Sequence, residues 1–139
     1  MCSQQKSWTS LPCALVMTVL MTSPGAVAQE PQVLFSRDGE MLRLLNKVDL
    51  EDVKAGKYVL RMTEYSMEPG AKIASHTHKG PGLRYVLEGS IAIEFNKGDK
   101  VETYHAGQTY FEPAGFHYGG YNAGSGRARV IIVELLPAD

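Results

Sequence analysis

After about residue 30 the chain is a succession of short runs in which apolar and polar residues alternate, cut by glycine and proline. Alternation with period two marks a strand with one buried face. It predicts strands over Met41 to Leu45, Tyr58 to Met67, Ile73 to His78, Leu83 to Leu87, Ser90 to Phe95, Val101 to Tyr104, Thr109 to Phe111, His117 to Tyr121 and Val130 to Leu136. The breakers between them, EPG, KGPG, EG, NKGD, AG, PAG and NAGSG, recur at the close spacing of an antiparallel sandwich or barrel. Phe95 to Asp99 is the clearest hairpin, since Gly98 can supply the positive φ of a tight turn. VIIVELL, Val130 to Leu136, is apolar on both faces and is expected centrally, covered on each side. The best helical candidate, Asp49 to Gly56, is at most about two turns long.

The first residues follow a different pattern. Lys6 precedes an apolar run from Leu11 to Met21, and small residues follow at Ala26 and Ala28. This is the layout of a secretory signal peptide, with cleavage expected after Ala28. The run is too short to span a hydrocarbon core, which needs roughly 20 residues, so no membrane association is expected after cleavage. Three segments result: a signal peptide over 1–28, an N-terminal segment with an edge strand over 29–57, and a single barrel domain over 58–136. Both cysteines, Cys2 and Cys13, would leave with the signal, which excludes thiol chemistry and disulfides from a secreted or periplasmic product. Removing Lys6 leaves 13 basic against 15 acidic residues, so there is no basic field for nucleic acid. The chain also lacks a helix-turn-helix segment.

Candidate chemistry lies with the histidines. His76 and His78 stand two apart in a predicted strand, so both imidazoles share a face, about 7 Å apart at Cβ, which suits one metal ion. They fall in the series Gly70, five residues, His76, Thr77, His78, three residues, Gly82, six residues, Gly89. A second series runs Gly107, five residues, Pro113, Ala114, Gly115 and, later, Asn122.

These two series resemble the paired motifs of the cupin superfamily, G-x(5)-H-x-H-x(3,4)-E-x(6)-G and G-x(5)-P-x-G-x(2)-H-x(3)-N. The likeness covers roughly 58–136. Two positions depart from the pattern. Gly82 stands where the first motif has glutamate, and Tyr118 stands in the histidine column of the second, with His117 one residue before it. The resemblance implies an all-β double-stranded β-helix, a jelly-roll-like barrel, holding a divalent transition metal such as Fe, Mn, Ni, Cu or Zn. It also implies frequent homodimers, for which the segment before Tyr58 could supply an edge strand.

Carried onto this chain, the metal ligands are expected to be His76, His78 and His117. A bulge near Gly115 would turn His117 inward; without one, Tyr118 faces the site. His105, in a turn, is expected to be solvated, and Glu68, Glu88 and Glu112 to be surface charges. Glu94 faces opposite Ile91 and Ile93, toward either interior or solvent. Alternation from position 82 puts Arg84 on the inner face. There it would recognise an anionic group of a ligand, or, if the strand kinks at Gly80-Pro81-Gly82, form a rim salt bridge with Glu94 or Glu102. Two functions stay open: a metal-dependent enzyme acting on a small molecule, with oxygenation the favoured class, and a small-ligand or metal-binding module without turnover. A purely structural role for buried histidines is the third reading. No residue stands out as a general base at position 82.

Overall fold

The computed structural model describes residues 31–37, 40–51 and 53–138. The predicted signal segment lies outside them. The described strands are β1 (Gln32–Arg37), β2 (Glu40–Leu44), β3 (Tyr58–Met67), β4 (Lys72–Thr77), β5 (Gly82–Glu88), β6 (Ser90–Phe95), β7 (Lys100–His105), β8 (Thr109–Glu112), β9 (His117–Asn122) and β10 (Ala128–Pro137). Two four-stranded antiparallel sheets, ordered β3-β10-β5-β8 and β4-β9-β6-β7, form a double-stranded β-helix. Their inner faces meet in one core. Met67, Val86, Tyr110, Ala128 and Val130 come from the first sheet, and Ile91, Ile93, Tyr104 and Tyr118 from the second.

β10 lies between β3 and β5, the central place expected of it, but its outward residues Ile131, Val133 and Leu135 are only half-buried and not covered. The β6–β7 connection turns at Asn96 to Gly98, with Gly98 at φ 100° as the hairpin requires. Asn122, from the second motif, is buried and structural. Its Nδ2 donates to the Met67 and Gly126 carbonyls at 3.1 and 2.8 Å, and its Oδ1 accepts from Gly124 N at 2.9 Å, closing the loop into β10.

Two features define the N-terminal segment. β1 and β2 pair with each other and not with a barrel edge, because the hairpin satisfies its own ladder. The described residues of 49–56 form no helix, as so short a segment cannot repay nucleation. The segment just before them is tied to β8 instead. Asn46 Nδ2 donates to Thr109 Oγ1 at 2.9 Å, and that hydroxyl donates to the Leu45 carbonyl at 3.3 Å. No helix among the described residues is long and apolar enough to cross a membrane.

Candidate functional site

The site grows from one row of residues across the first sheet. Arg61 on β3 is opposite Glu134 on β10, Glu134 is opposite Gly82 on β5, and Gly82 is opposite Glu112 on β8. Directly opposed residues in antiparallel strands share a face, so all four positions look into the barrel. Gly82 leaves a gap in the middle of the row. Arg84, the next inward position on β5, fills it by folding its guanidinium back. A Cβ placed on Gly82 would lie 1.9 Å from Arg84 Nη1.

The guanidinium is held between the two carboxylates flanking that gap. Arg84 Nη2 lies 2.8 Å from Glu112 Oε2 and 3.2 Å from Glu134 Oε1, while Arg61 donates to Glu134 Oε2 at 2.7 Å. His78 joins from the end of β4 on the opposite sheet. Its Nε2 lies 2.9 Å from Glu112 Oε2 and 3.3 Å from Arg84 Nη2, and its Nδ1 lies 3.1 Å from Glu134 Oε1. Arg84, Glu112 and Glu134 are all buried. Among the described residues, Arg84 Nη1 is the buried side-chain polar atom left without a hydrogen-bond partner.

This cluster forms the polar end of a cavity of about 230 Å³. Ile73, Ile91, Ile93, Val130 and Ile132 make its apolar wall, and Tyr65, Tyr110 and Tyr118 contribute rings. A larger cleft of about 510 Å³ runs between the segment around Leu50 and Val53 and the residues Lys79 to Pro81. It holds none of the motif histidines, so the inner cavity is the candidate site.

The ladder between β4 and β9 decides which motif residues face inward. His76 is opposite Tyr118, and Thr77 is opposite His117. His76 and Tyr118 therefore share the inner face, and both line the cavity. His117 shares the outer face with Thr77 and is exposed, which corrects its expected role as third ligand. The irregularity foreseen near Gly115 falls on β4 instead, between Ile73 and His76. The His76 and His78 rings meet edge to face at 4.7 Å, and the His78 and Tyr118 rings lie 5.6 Å apart. Tyr118 donates its hydroxyl hydrogen to the Pro113 carbonyl at 3.1 Å. Burial and the Glu112 carboxylate push its phenol well up, against the opposing effect of Arg84.

The other candidates divide. His105 is exposed and shares a hydrogen bond with Ser90 Oγ at 2.8 Å. Glu68 and Glu88 lie at the surface, beside Arg127 and Arg129. Glu94 is half-buried on the face opposite Ile91 and Ile93 and does not line the cavity. Glu112 is not a surface charge; it is 4% exposed and neutralises Arg84. Arg84 does point inward, but Glu112 and Glu134 replace both partners foreseen for it, the ligand anion and a rim carboxylate. Glu134 was missed altogether. Its signal was a lone carboxylate inside the apolar strand VIIVELL, at an inward position where an unpaired charge could not persist.

The family's metal does not fit this donor set. Both ring nitrogens of His78 face a carboxylate oxygen, and a fixed cation stands 3.3 Å from Nε2. Tyr118 is a neutral phenol, and His117 faces away. Among the described residues no group of three or more His, Cys, Asp or Glu side chains is arranged to hold a metal ion.

A family model described as "Cupin domain" matches residues 63–134, just over half of the chain. The chain belongs to the cupin family. Solved structures agree on the fold. A conserved protein of unknown function from Streptococcus pyogenes is 19% identical over 68% of this chain and 95% of that one, with a TM-score of 0.50. A protein from Bacillus halodurans is 19% identical over 58% of this chain and 64% of its own, with a TM-score of 0.53. An uncharacterised Klebsiella pneumoniae protein with a double-stranded β-helix domain is 22% identical over 63% and 74%, with a TM-score of 0.50. At these identities the likeness establishes architecture and not activity. No curated protein matches the sequence.

The charge row carries a pH dependence. Burial alone would raise the Glu134 carboxyl, but the Arg61 hydrogen bond and the charges of Arg84, His78 and Arg61 outweigh it and hold the group below its ordinary 4.5. A depressed folded-state pKa contributes stability that is present above the unfolded value and lost as pH falls through the folded one. Wild type should therefore lose stability as pH drops below 4.5. Glu134→Gln should be about 3 kcal/mol less stable at neutral pH and flatter through that acid window in urea titrations. Parallel acid profiles for the two proteins would contradict this role for Glu134.

Proposed function

We propose that this cupin binds a small, neutral, largely apolar molecule carrying a hydroxyl or similar donor. The observation that supports it is the two-part wall of the inner cavity, with five aliphatic side chains on one side and Glu112 at the polar end. Glu112 lines that cavity, so its carboxylate is the acceptor that would meet a ligand. Arg61 and Arg84 balance Glu112 and Glu134 in charge, which removes the reason to expect an anionic ligand. By volume, the cavity suits about one substituted ring, since a dry cavity of about 150 Å³ accommodates benzene. His78 and Glu112, hydrogen-bonded at that wall, form an acid–base pair that would carry any proton transfer to a bound hydroxyl. A divalent transition metal, and the oxygenase chemistry it would support, is the less favoured reading because Arg84 stands beside the ligand atoms such an ion would need.

Two further properties belong to this reading. The protein acts outside the cytoplasm after cleavage behind Ala28, on the strength of the leader pattern. It works as a homodimer, supported by an outward row of Leu60 and Met62 on β3 beside Val133 and Leu135 on β10. Leu60 and Met62 are 73% and 69% exposed, on a strand at the edge of its sheet, and a second copy would cover them.

The ligand reading is checked with para-cresol, para-toluate and para-methylbenzylamine, which share one shape and differ in charge. Para-cresol should shift the methyl NMR signals of Ile91, Ile93 and Ile132 saturably, more than either charged probe. Ile132→Phe, which fills the cavity, should abolish the shift; preference for the toluate would overturn the neutral-ligand assignment. Intact mass of the exported protein should correspond to a chain beginning at Gln29, and a mass retaining Met1 to Ala28 would refute cleavage. In light scattering after size exclusion, wild type should run as a dimer and Leu60→Lys/Met62→Lys as a monomer. A monomeric wild type at high micromolar concentration would rule out this interface.

A further inference from the structure

We propose that Arg84 is the resident cation of this barrel, and that its guanidinium excludes a divalent metal from the place where the motif histidines would hold one. The inference does not depend on which molecule the cavity takes.

Three acceptor or donor atoms surround one point, and that point is Arg84 Nη2. Glu112 Oε2 lies 2.8 Å from it, Glu134 Oε1 3.2 Å and His78 Nε2 3.3 Å. A zinc-like ion binds carboxylate oxygen and imidazole nitrogen at about 2.0–2.2 Å. The same three side chains would need to close by only about an ångström around an ion. They cannot do so while a guanidinium holds the centre, because its charge is permanent and cannot be titrated away near neutrality. Arg84 is 2% exposed, backed by the Gly82 backbone, and its Nη2 lies within ion-pair distance of both carboxylates.

Gly82 and Arg84 act as one device. With any side chain at position 82, the Cβ would collide with Nη1 and approach Val133 O to 2.9 Å. The residue that removes the motif's carboxylate is thus also the residue that admits the arginine. The remaining acids are rearranged to match: Glu134 and Glu112 flank the gap from neighbouring strands and supply the counter-charge that a glutamate at 82 does not.

Titration calorimetry with Mn²⁺ and Zn²⁺ tests this on the full barrel, with His76→Ala as the control for surface sites. Wild type should show no stoichiometric ion whose binding His76→Ala or His78→Ala removes. Arg84→Ala should gain one such ion, with affinity at least roughly a hundredfold above wild type, as expected for deleting a like charge at this distance. Absence of any gain in folded Arg84→Ala would overturn the proposal. If that variant does not fold, Mn²⁺ added to wild type decides alone. Relaxation broadening of the Ile93 and Ile132 methyls would place the ion in the barrel beside Arg84 and refute exclusion, whereas sharp cavity methyls at millimolar Mn²⁺ support it.

Discussion

The burial of a single guanidinium organises this barrel. Arg84 is taken almost completely out of water, and an unpaired charge in that position costs far more than one side chain's packing can return. The cost is met by geometry spread over four strands and the loop end of β4. Arg61, Glu134, Gly82 and Glu112 fall into one row because the registers of β3, β10, β5 and β8 bring them opposite one another. His78 then reaches the same carboxylates from the second sheet. The cluster therefore ties the two sheets together at one end of the cavity, while the aliphatic core does so along the rest. Truncating one member would strand its partners, a loss on the order of 3–5 kcal/mol for a buried pair.

Much of the architecture was legible because strand alternation and turn glycines are local signals. The hairpin at Gly98, the central place of VIIVELL and the two motif series all follow from residues within a few positions of each other. The charge row was not legible for the opposite reason. Glu112 sits beside Pro113 and reads as a turn-flanking surface acid; only the β5–β8 register reveals that it looks at Gly82. Glu134 was hidden inside an apolar run, although an inward carboxylate in a central strand is itself a demand for a buried cation. Arg84 could be placed on the inner face by counting in twos, but counting cannot say what waits there. His117 and Tyr118 show the same limit at one-residue scale. The motif column favoured the tyrosine, chemical preference favoured the histidine, and the pairing of His76 with Tyr118 decided the matter.

Replacing a metal by a guanidinium changes what such a site can do. A metal offers open coordination positions, accepts electron pairs and, for several ions, changes oxidation state. A guanidinium offers directed N–H donors and a fixed charge, and it is redox-inert. Here one of its nitrogens is committed to two carboxylates, so Arg84 mainly sets the positions of Glu112 and Glu134 and the field around His78. The groups lining the cavity beside it are the Glu112 carboxylate, the His76 and His78 imidazoles and the aliphatic wall. Those are the means for selecting a donor-bearing apolar molecule and for moving a proton at most a hydrogen bond's length.

The reach of one substitution follows from where it lies. A glycine at an exposed turn alters only the local backbone, but Gly82 occupies the centre of a row in which every neighbour points into the same space. Without its side chain, the inner face has a hole beside two acids, and the nearest long side chain on the same strand face is Arg84. The arginine fills volume and neutralises charge in the same movement, which an aliphatic residue could not. Filling the hole with a carboxylate instead would put three acids on one sheet face and require a multivalent cation to hold them. The choice between a metal-centred and an arginine-centred barrel thus reduces to positions 82 and 84, with the flanking glutamates serving either cation.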